Sequence, residues 1–135
     1  DDLVTGVQTC ALPIFHRGES KDVPLCLAAM DVFCLHSRNE GFPNVLAEAM
    51  AMGLPCDTTD VGDAAMLLGD CGHVVPKQDA AARADGVTRL LQSDPLARQA
   101  LGQRARARVL AQFTIAATRT GFEAVYQRLL NEGRR

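Results

Sequence analysis

The chain has 135 residues, 47% of them hydrophobic and 22% charged, which is enough apolar material for one ordinary core and leaves room for no more than one domain. Its formal net charge of -2 gives nucleic acid no global attraction. Five cysteines without a CxxC pair point to free thiols in a reducing compartment, and the 4% aromatic content without any Trp favours helices packed on a small sheet over a β-sandwich.

Residues 1–14, DDLVTGVQTCALPI, mix turn formers with short apolar runs and sustain neither a helical nor a strand period. They resemble a translated sequencing-adapter read-through, so the native domain is expected to occupy 15–135. From Asp22 the pattern becomes regular. Pro24 suits the first turn of a short helix reaching Met30, and the run VFCL at 32–35 reads as a strand covered on both faces. A polar loop, His36 to Phe42, leads to a helix from Pro43 to Met52 that Gly53 can end in a left-handed conformation. A second strand at 56–59 follows Pro55, then a turn at 60–63, which gives the β-α-β order of a parallel sheet.

Farther along, Ala64 to Leu68 reads as a short helix, Gly69 to Gly72 as a turn, and Val74-Val75 as a brief strand closed by Pro76. Asp79 can cap a helix over 80–92. Asp94 and Pro95 form a cap and first position for a helix to about Ala111, and Thr114 can cap a last helix toward Leu130. In that last helix Phe122, Val125, Tyr126 and Leu129 form one stripe, the pattern of a helix packed on a neighbour. Charge is uneven: residues 1–94 hold 6 basic and 14 acidic groups, and 95–135 hold 8 basic and 2 acidic. Solvated helix faces and an anion-binding surface both account for the basic segment.

The most informative stretch is EGFPNVLAE, Glu40 to Glu48. A helix beginning near Pro43, in the crevice beyond a parallel strand's carboxyl end, presents unpaired amides and the positive end of its dipole to an anion. Gly41 removes a side chain where a ligand would approach the backbone. Glu48 lies roughly 7.5 Å along the helix from Pro43 and shares a stripe with Asn44. A carboxylate on the one polar stripe of an apolar helix either faces solvent or bonds something specific, and the residues alone leave both readings open.

Residues 15 to 130 resemble the C-terminal donor-binding domain of the family 4 retaining glycosyltransferases. The likeness is carried by DVP at 22–24, AAMDVFCLHS at 28–37, EGFPNVLAEAMAMGLP at 40–55, TDVG at 59–62 and GHVVP at 72–76. It implies the fold: an α/β domain with an incomplete Rossmann-like parallel sheet and flanking helices, the C-terminal half of a GT-B architecture. It also implies the site, through the Glu-x7-Glu signature that Glu40 and Glu48 match. Glu40 would face the donor hexose as the catalytic carboxylate. Gly41, Phe42 and Pro43 would shape the cradle, and amides of Phe42, Asn44 or Val45 would donate to the diphosphate. Glu48 would accept from the ribose hydroxyls, and Ser37 and Arg38 would line the loop.

The family function is transfer of a sugar from a nucleoside diphosphate sugar to an acceptor hydroxyl with retention. The acceptor, whether sugar, lipid-linked or small molecule, is left open. An Arg and a Lys usual near the diphosphate, and the N-terminal Rossmann-like domain, would precede Phe15, so weak donor binding is the most expected of this polypeptide alone. A non-catalytic nucleotide-binding module and an inactive truncated fragment are the alternatives. No cofactor, metal or nucleic-acid partner is expected: His16, His36 and His73 lack metal-ligand spacing, and neither GxGxxG nor a phosphate-binding Lys motif occurs. The resemblance implies a cytoplasmic enzyme, free or peripheral at the inner membrane surface.

Several positions depart from the family pattern. Asp57 replaces an apolar strand residue, Arg83 an apolar helix residue, Met66 a frequent Glu, and Lys77 and Gln78 a usual Pro and Gly. A carboxylate inside a two-sided strand is costly unless paired.

Overall fold

The computed structural model describes residues 18–133; the proposed read-through at 1–14 and the boundary at Phe15 lie outside them. The chain runs α1 (Val23–Ala28), β1 (Phe33–Leu35), α2 (Asn44–Ala51), β2 (Cys56–Thr59), α3 (Ala64–Leu68), β3 (Gly72–Val75), α4 (Ala80–Gln92), α5 (Pro95–Gln112) and α6 (Ile115–Glu132). The strands form one parallel sheet in the order β1-β2-β3, with Phe33 opposite Cys56 and Cys56 opposite Gly72. This is the expected α/β arrangement, an incomplete Rossmann-like sheet.

Local chemistry sets the helix starts. Asp22, Asp79, Asp94 and Thr114 each accept a backbone N–H of their helix's first turn, satisfying amides that have no intrahelical acceptor. Pro24 and Pro95 occupy first-turn positions where no N–H is needed. Strand β3 is longer than the expected Val74-Val75. Gly72, read in sequence as the end of a turn, begins the strand, and it lies so close to the Cys56 carbonyl and the Leu68 side chain that a larger residue would clash there.

All four residues of β2 are buried, as a central strand covered on both faces requires. One face joins Phe33, Leu35 and Cys56 to Leu46, Met50, Leu67 and Val109 in a single apolar cluster. On the other face Cys34, Asp57 and His73 lie side by side in register, against α4. Burial pushes the Cys34 thiol up, and that of Cys56 to about 12, so both behave as small hydrophobes.

Helix α5 carries four of the basic residues of the C-terminal segment, and each has a bonded partner. Arg106 donates to the Ala51 carbonyl at the end of α2, Arg108 to those of Met66 and Leu67 in α3, and Arg98 to those of Leu90 and Leu91 in α4. Arg104 bonds both the carbonyl and the carboxylate of Asp70. These arginines combine both roles: part of each guanidinium bonds a carbonyl or carboxylate, while Arg104 and Arg106 stay exposed on a solvated helix face. Helix α6 differs from expectation in another way: its apolar stripe is exposed, with Phe122 at 61% and Tyr126 at 62%, and it buries no residue among those described. No helix of the described residues is long and apolar enough to cross a membrane.

Helix α5 meets the end of α2 at two glycines. Gly53 has φ +78, the left-handed turn expected after α2, and a Cβ at Gly102 would collide with the Gly53 carbonyl. Replacing Gly102 by Ala is therefore expected to cost about 1–3 kcal/mol through overpacking. Gly121→Ala in α6, where a Cβ meets nothing within 4 Å, is expected to stabilise by about 0.5–1 kcal/mol. Urea midpoints of the two variants measure both, and equal midpoints would contradict the close contact.

Candidate functional site

The crevice lies where β1 and β2 end and α2 begins. The loop after β1 carries Ser37, Glu40, Gly41 and Phe42, and the loop after β2 carries Asp60 to Asp63. The two are clasped together: Asp63 donates its N–H to the Gly41 carbonyl at 2.9 Å, and Thr59 Oγ1 lies 2.8 Å from the Ser37 carbonyl oxygen. Gly62, at φ +51, lets them touch, since any Cβ there would run into the carbonyl oxygens of Glu40 and Gly41.

Glu40 is half-buried and accepts from Ser37 Oγ at 2.6 Å. Gly41 is exposed, has no left-handed φ, and a Cβ there would meet nothing within 4 Å. Neither packing nor backbone conformation of this chain requires glycine at 41. The Phe42 ring lies 6.0 Å between centroids from Phe113, whose ring Arg108 covers at 5.8 Å. Phe42 thus ties the loop to Phe113, the residue that ends α5.

Pro43 is the buried N-cap of α2 and gives no side-chain cap; its carbonyl accepts from Leu46 and Ala47 at 3.0 and 3.3 Å. Asn44 and Val45 follow, the first exposed and the second packed against the core. Their amides belong to the first turn, which has no intrahelical acceptor, and they stand at the positive end of the helix dipole. Glu48 is exposed, a turn farther on, and takes no part in the three ion pairs among the described residues. It stands beside Val23, Pro24, Leu27, Ala51 and Met52 around a groove of about 360 Å³ between α1 and α2.

Loop and helix thus bring Ser37, Glu40, Gly41, Pro43, Asn44 and Val45 to one end of the sheet, with Glu48 on the adjoining helix face. Arg38 is exposed and has no bond to this cluster among the described residues. Thr59 and Gly62 escaped the residue-level reading. Their signal was the TDVG turn directly after a buried strand. The apolar wall from α1 was foreshadowed only by DVP at 22–24. Among the described residues no three His, Cys, Asp or Glu gather into a metal-holding group.

Beneath the crevice, the two most discordant residues of the sequence meet. Arg83 Nη1 lies 2.9 Å from Asp57 Oδ2, with Asp57 fully buried and the Arg83 side chain 19% exposed. Arg83 Nη2 also donates to the Leu35 carbonyl at 2.5 Å, at the end of β1. The pair is a charge contact rather than an aligned hydrogen bond, since Oδ1, Oδ2 and Nη1 are buried without hydrogen-bond partners. Gly86 makes room for the carboxylate. Burial pushes the Asp57 carboxyl up from 3.8, against the opposite pull of Arg83 and then His73. The charge that the strand could not hold alone is held by a residue 26 positions away.

Residues 6–93 match the model of the family described as Glycosyl transferases group 1. The chain is similar to N-acetyl-alpha-D-glucosaminyl L-malate synthase of Bacillus anthracis, 34% identical over 121 residues that cover 88% of this chain and 32% of that protein. It is similar to the lipopolysaccharide core biosynthesis mannosyltransferase LpcC of Rhizobium leguminosarum bv. viciae at 31% identity, covering 90% of this chain and 35% of that one. A solved sucrose-phosphate synthase from Thermosynechococcus elongatus superposes with a TM-score of 0.71 at 32% identity, over 82% of this chain and 28% of its own. The chain therefore spans about a third of the length of these relatives.

Breaking the buried pair from one side is expected to be worse than removing it. Arg83→Met strands a buried carboxylate and should cost about 3–5 kcal/mol, whereas adding Asp57→Val should recover most of the loss. The raised Asp57 pKa fixes the sign with pH: its contribution to stability is full below 3.8 and is lost as pH rises through the higher folded value. Across that interval the double variant should gain on the parent as pH rises. Denaturant midpoints at several pH values check this, and additive losses would show that the two residues do not interact.

Proposed function

Since the chain belongs to the group 1 glycosyl transferases, we propose that it is the donor-binding part of an enzyme that moves a sugar from a nucleoside diphosphate sugar to an acceptor hydroxyl, with anomeric configuration retained. The observation that carries this reading is Gly41. A position that needs glycine neither for its own backbone nor for its neighbours, directly before a helix start, suits a ligand that lies against the main chain.

Each residue then has a task. The amides of Asn44 and Val45, with the α2 dipole, favour the diphosphate, and more so as its charge grows when the glycosidic bond breaks. Glu40, held by Ser37, takes the hexose and acts where positive character develops on the sugar. Glu48 offers two carboxylate oxygens to two ribose hydroxyls. The groove beside it, walled by Val23, Pro24, Leu27 and Met52, suits the flat apolar faces of a nucleobase. Phe42 and Pro43 contribute loop shape. The native domain is taken to begin near Phe15, to work with an N-terminal Rossmann-like domain that brings the acceptor, and to reside in the cytoplasm or at the inner membrane surface.

In an enzyme that joins this domain to such an N-terminal partner, Glu48→Gln should weaken nucleoside diphosphate and complete donor alike by about tenfold, roughly 1.4 kcal/mol. Glu40→Gln should leave nucleoside diphosphate affinity intact and lower turnover by about a hundredfold. Titration calorimetry and steady-state kinetics decide it. Unchanged affinity in the first variant together with unchanged turnover in the second would remove the donor site from this crevice.

A further inference from the structure

The clasp between the two loops contains a chain of hydrogen bonds that ends on Glu40. Thr59, the last residue of β2, is only 6% exposed. Its Oγ1 is 2.8 Å from the Ser37 carbonyl oxygen and 3.5 Å from that of Leu35. A hydroxyl has one proton to give, so the shorter contact takes it and ties Ser37 to the rigid strand. Ser37 Oγ then donates to Glu40 Oε1 at 2.6 Å, the length of a charge-assisted O–H to carboxylate bond. On the other side Asp63 N–H holds the Gly41 carbonyl, and Gly62 abuts Glu40 itself.

We propose that Thr59 and Ser37 are positioning residues that aim Glu40, Thr59 by fixing the Ser37 backbone and Ser37 by fixing one carboxylate oxygen so that the other meets the donor. The proposal rests on the reading of Glu40 as the hexose contact. It also changes the part of Ser37: its proton is committed to Glu40, so it acts on the donor through that carboxylate and not by donating to it. A carboxylate free to turn would still carry its charge but would spend little time in the productive geometry, and misplacement of a catalytic group by about 1 Å can cost up to a hundredfold in rate.

The test is a set of cycles in the intact enzyme carrying this domain: Ser37→Ala, Thr59→Val and the hydroxyl-keeping Ser37→Thr and Thr59→Ser, each with Glu40 present and in a Glu40→Ala background. With Glu40 present, Ser37→Ala and Thr59→Val should lower kcat by about 10- to 30-fold and leave inhibition by the nucleoside diphosphate unchanged. The hydroxyl-keeping variants should retain most of the activity, and without Glu40 none of the four should have a further effect. Equal losses with and without Glu40, or losses in the Thr and Ser variants as large as those in Ala and Val, would overturn the positioning role. If Glu40→Ala alone leaves kcat unchanged, the reading of Glu40 falls first and the proposal with it. Ser37 sits in a half-buried loop, so its variants keep the test decisive should Thr59→Val fail to fold.

Discussion

A helix in an open α/β sheet leaves unpaired carbonyls at one end and unpaired amides at the other, and this chain treats the two ends differently. The carbonyl ends of α2, α3 and α4 are bonded by Arg106, Arg108 and Arg98 of α5. A cation there also meets the negative end of the dipole. The first turns of α2 and of the short α3 have no side-chain cap, while Asp79 caps α4 and Asp94 caps α5. Helix α2, which points at the crevice, is thus fixed at its far end and left open at its near end. The Gly53 and Gly102 contact sets the depth at which α5 meets α2, so the arginines can reach.

That arrangement gives the site its rigidity without placing bulk inside it. Loop 36–42 is tied to β2 through Thr59, to the following loop through Asp63 and Gly62, and to α5 through Phe42 on Phe113. On the proposed reading, the carboxylates and first-turn amides serve the ligand, the economy of a preorganised electrostatic site.

Much of this was legible because punctuation residues act locally. Asp22 with Pro24, Asp94 with Pro95, Thr114 and Gly53 mark helix ends by short-range bonds and allowed φ values, and such effects need no knowledge of the fold. The Glu40 and Glu48 pair was legible through its family pattern. Long-range compensation was not. Asp57 and Arg83 look like two separate faults in sequence, and only the packing of α4 on β2 brings them within 2.9 Å. The arginines of α5 read in sequence as a solvated face more than an anion surface, and their carbonyl partners appear only in the packed structure. The stripe on α6 reads as a buried face, yet no described residue covers it, because periodicity shows that a helix has an apolar side and not what lies against it.

An anionic nucleotide is proposed to settle at the open start of α2. The most direct measurement is a titration of the isotopically labelled chain with uridine, guanosine and adenosine diphosphates, followed by backbone amide resonances. Weak binding of at least one is expected, with the largest shifts at Gly41, Asn44, Val45 and Glu48 and little change at Arg89 and Arg98 beside β3. Shifts that gather around Arg89 and Arg98 instead, or no shift at the start of α2 with any of the three, would contradict it.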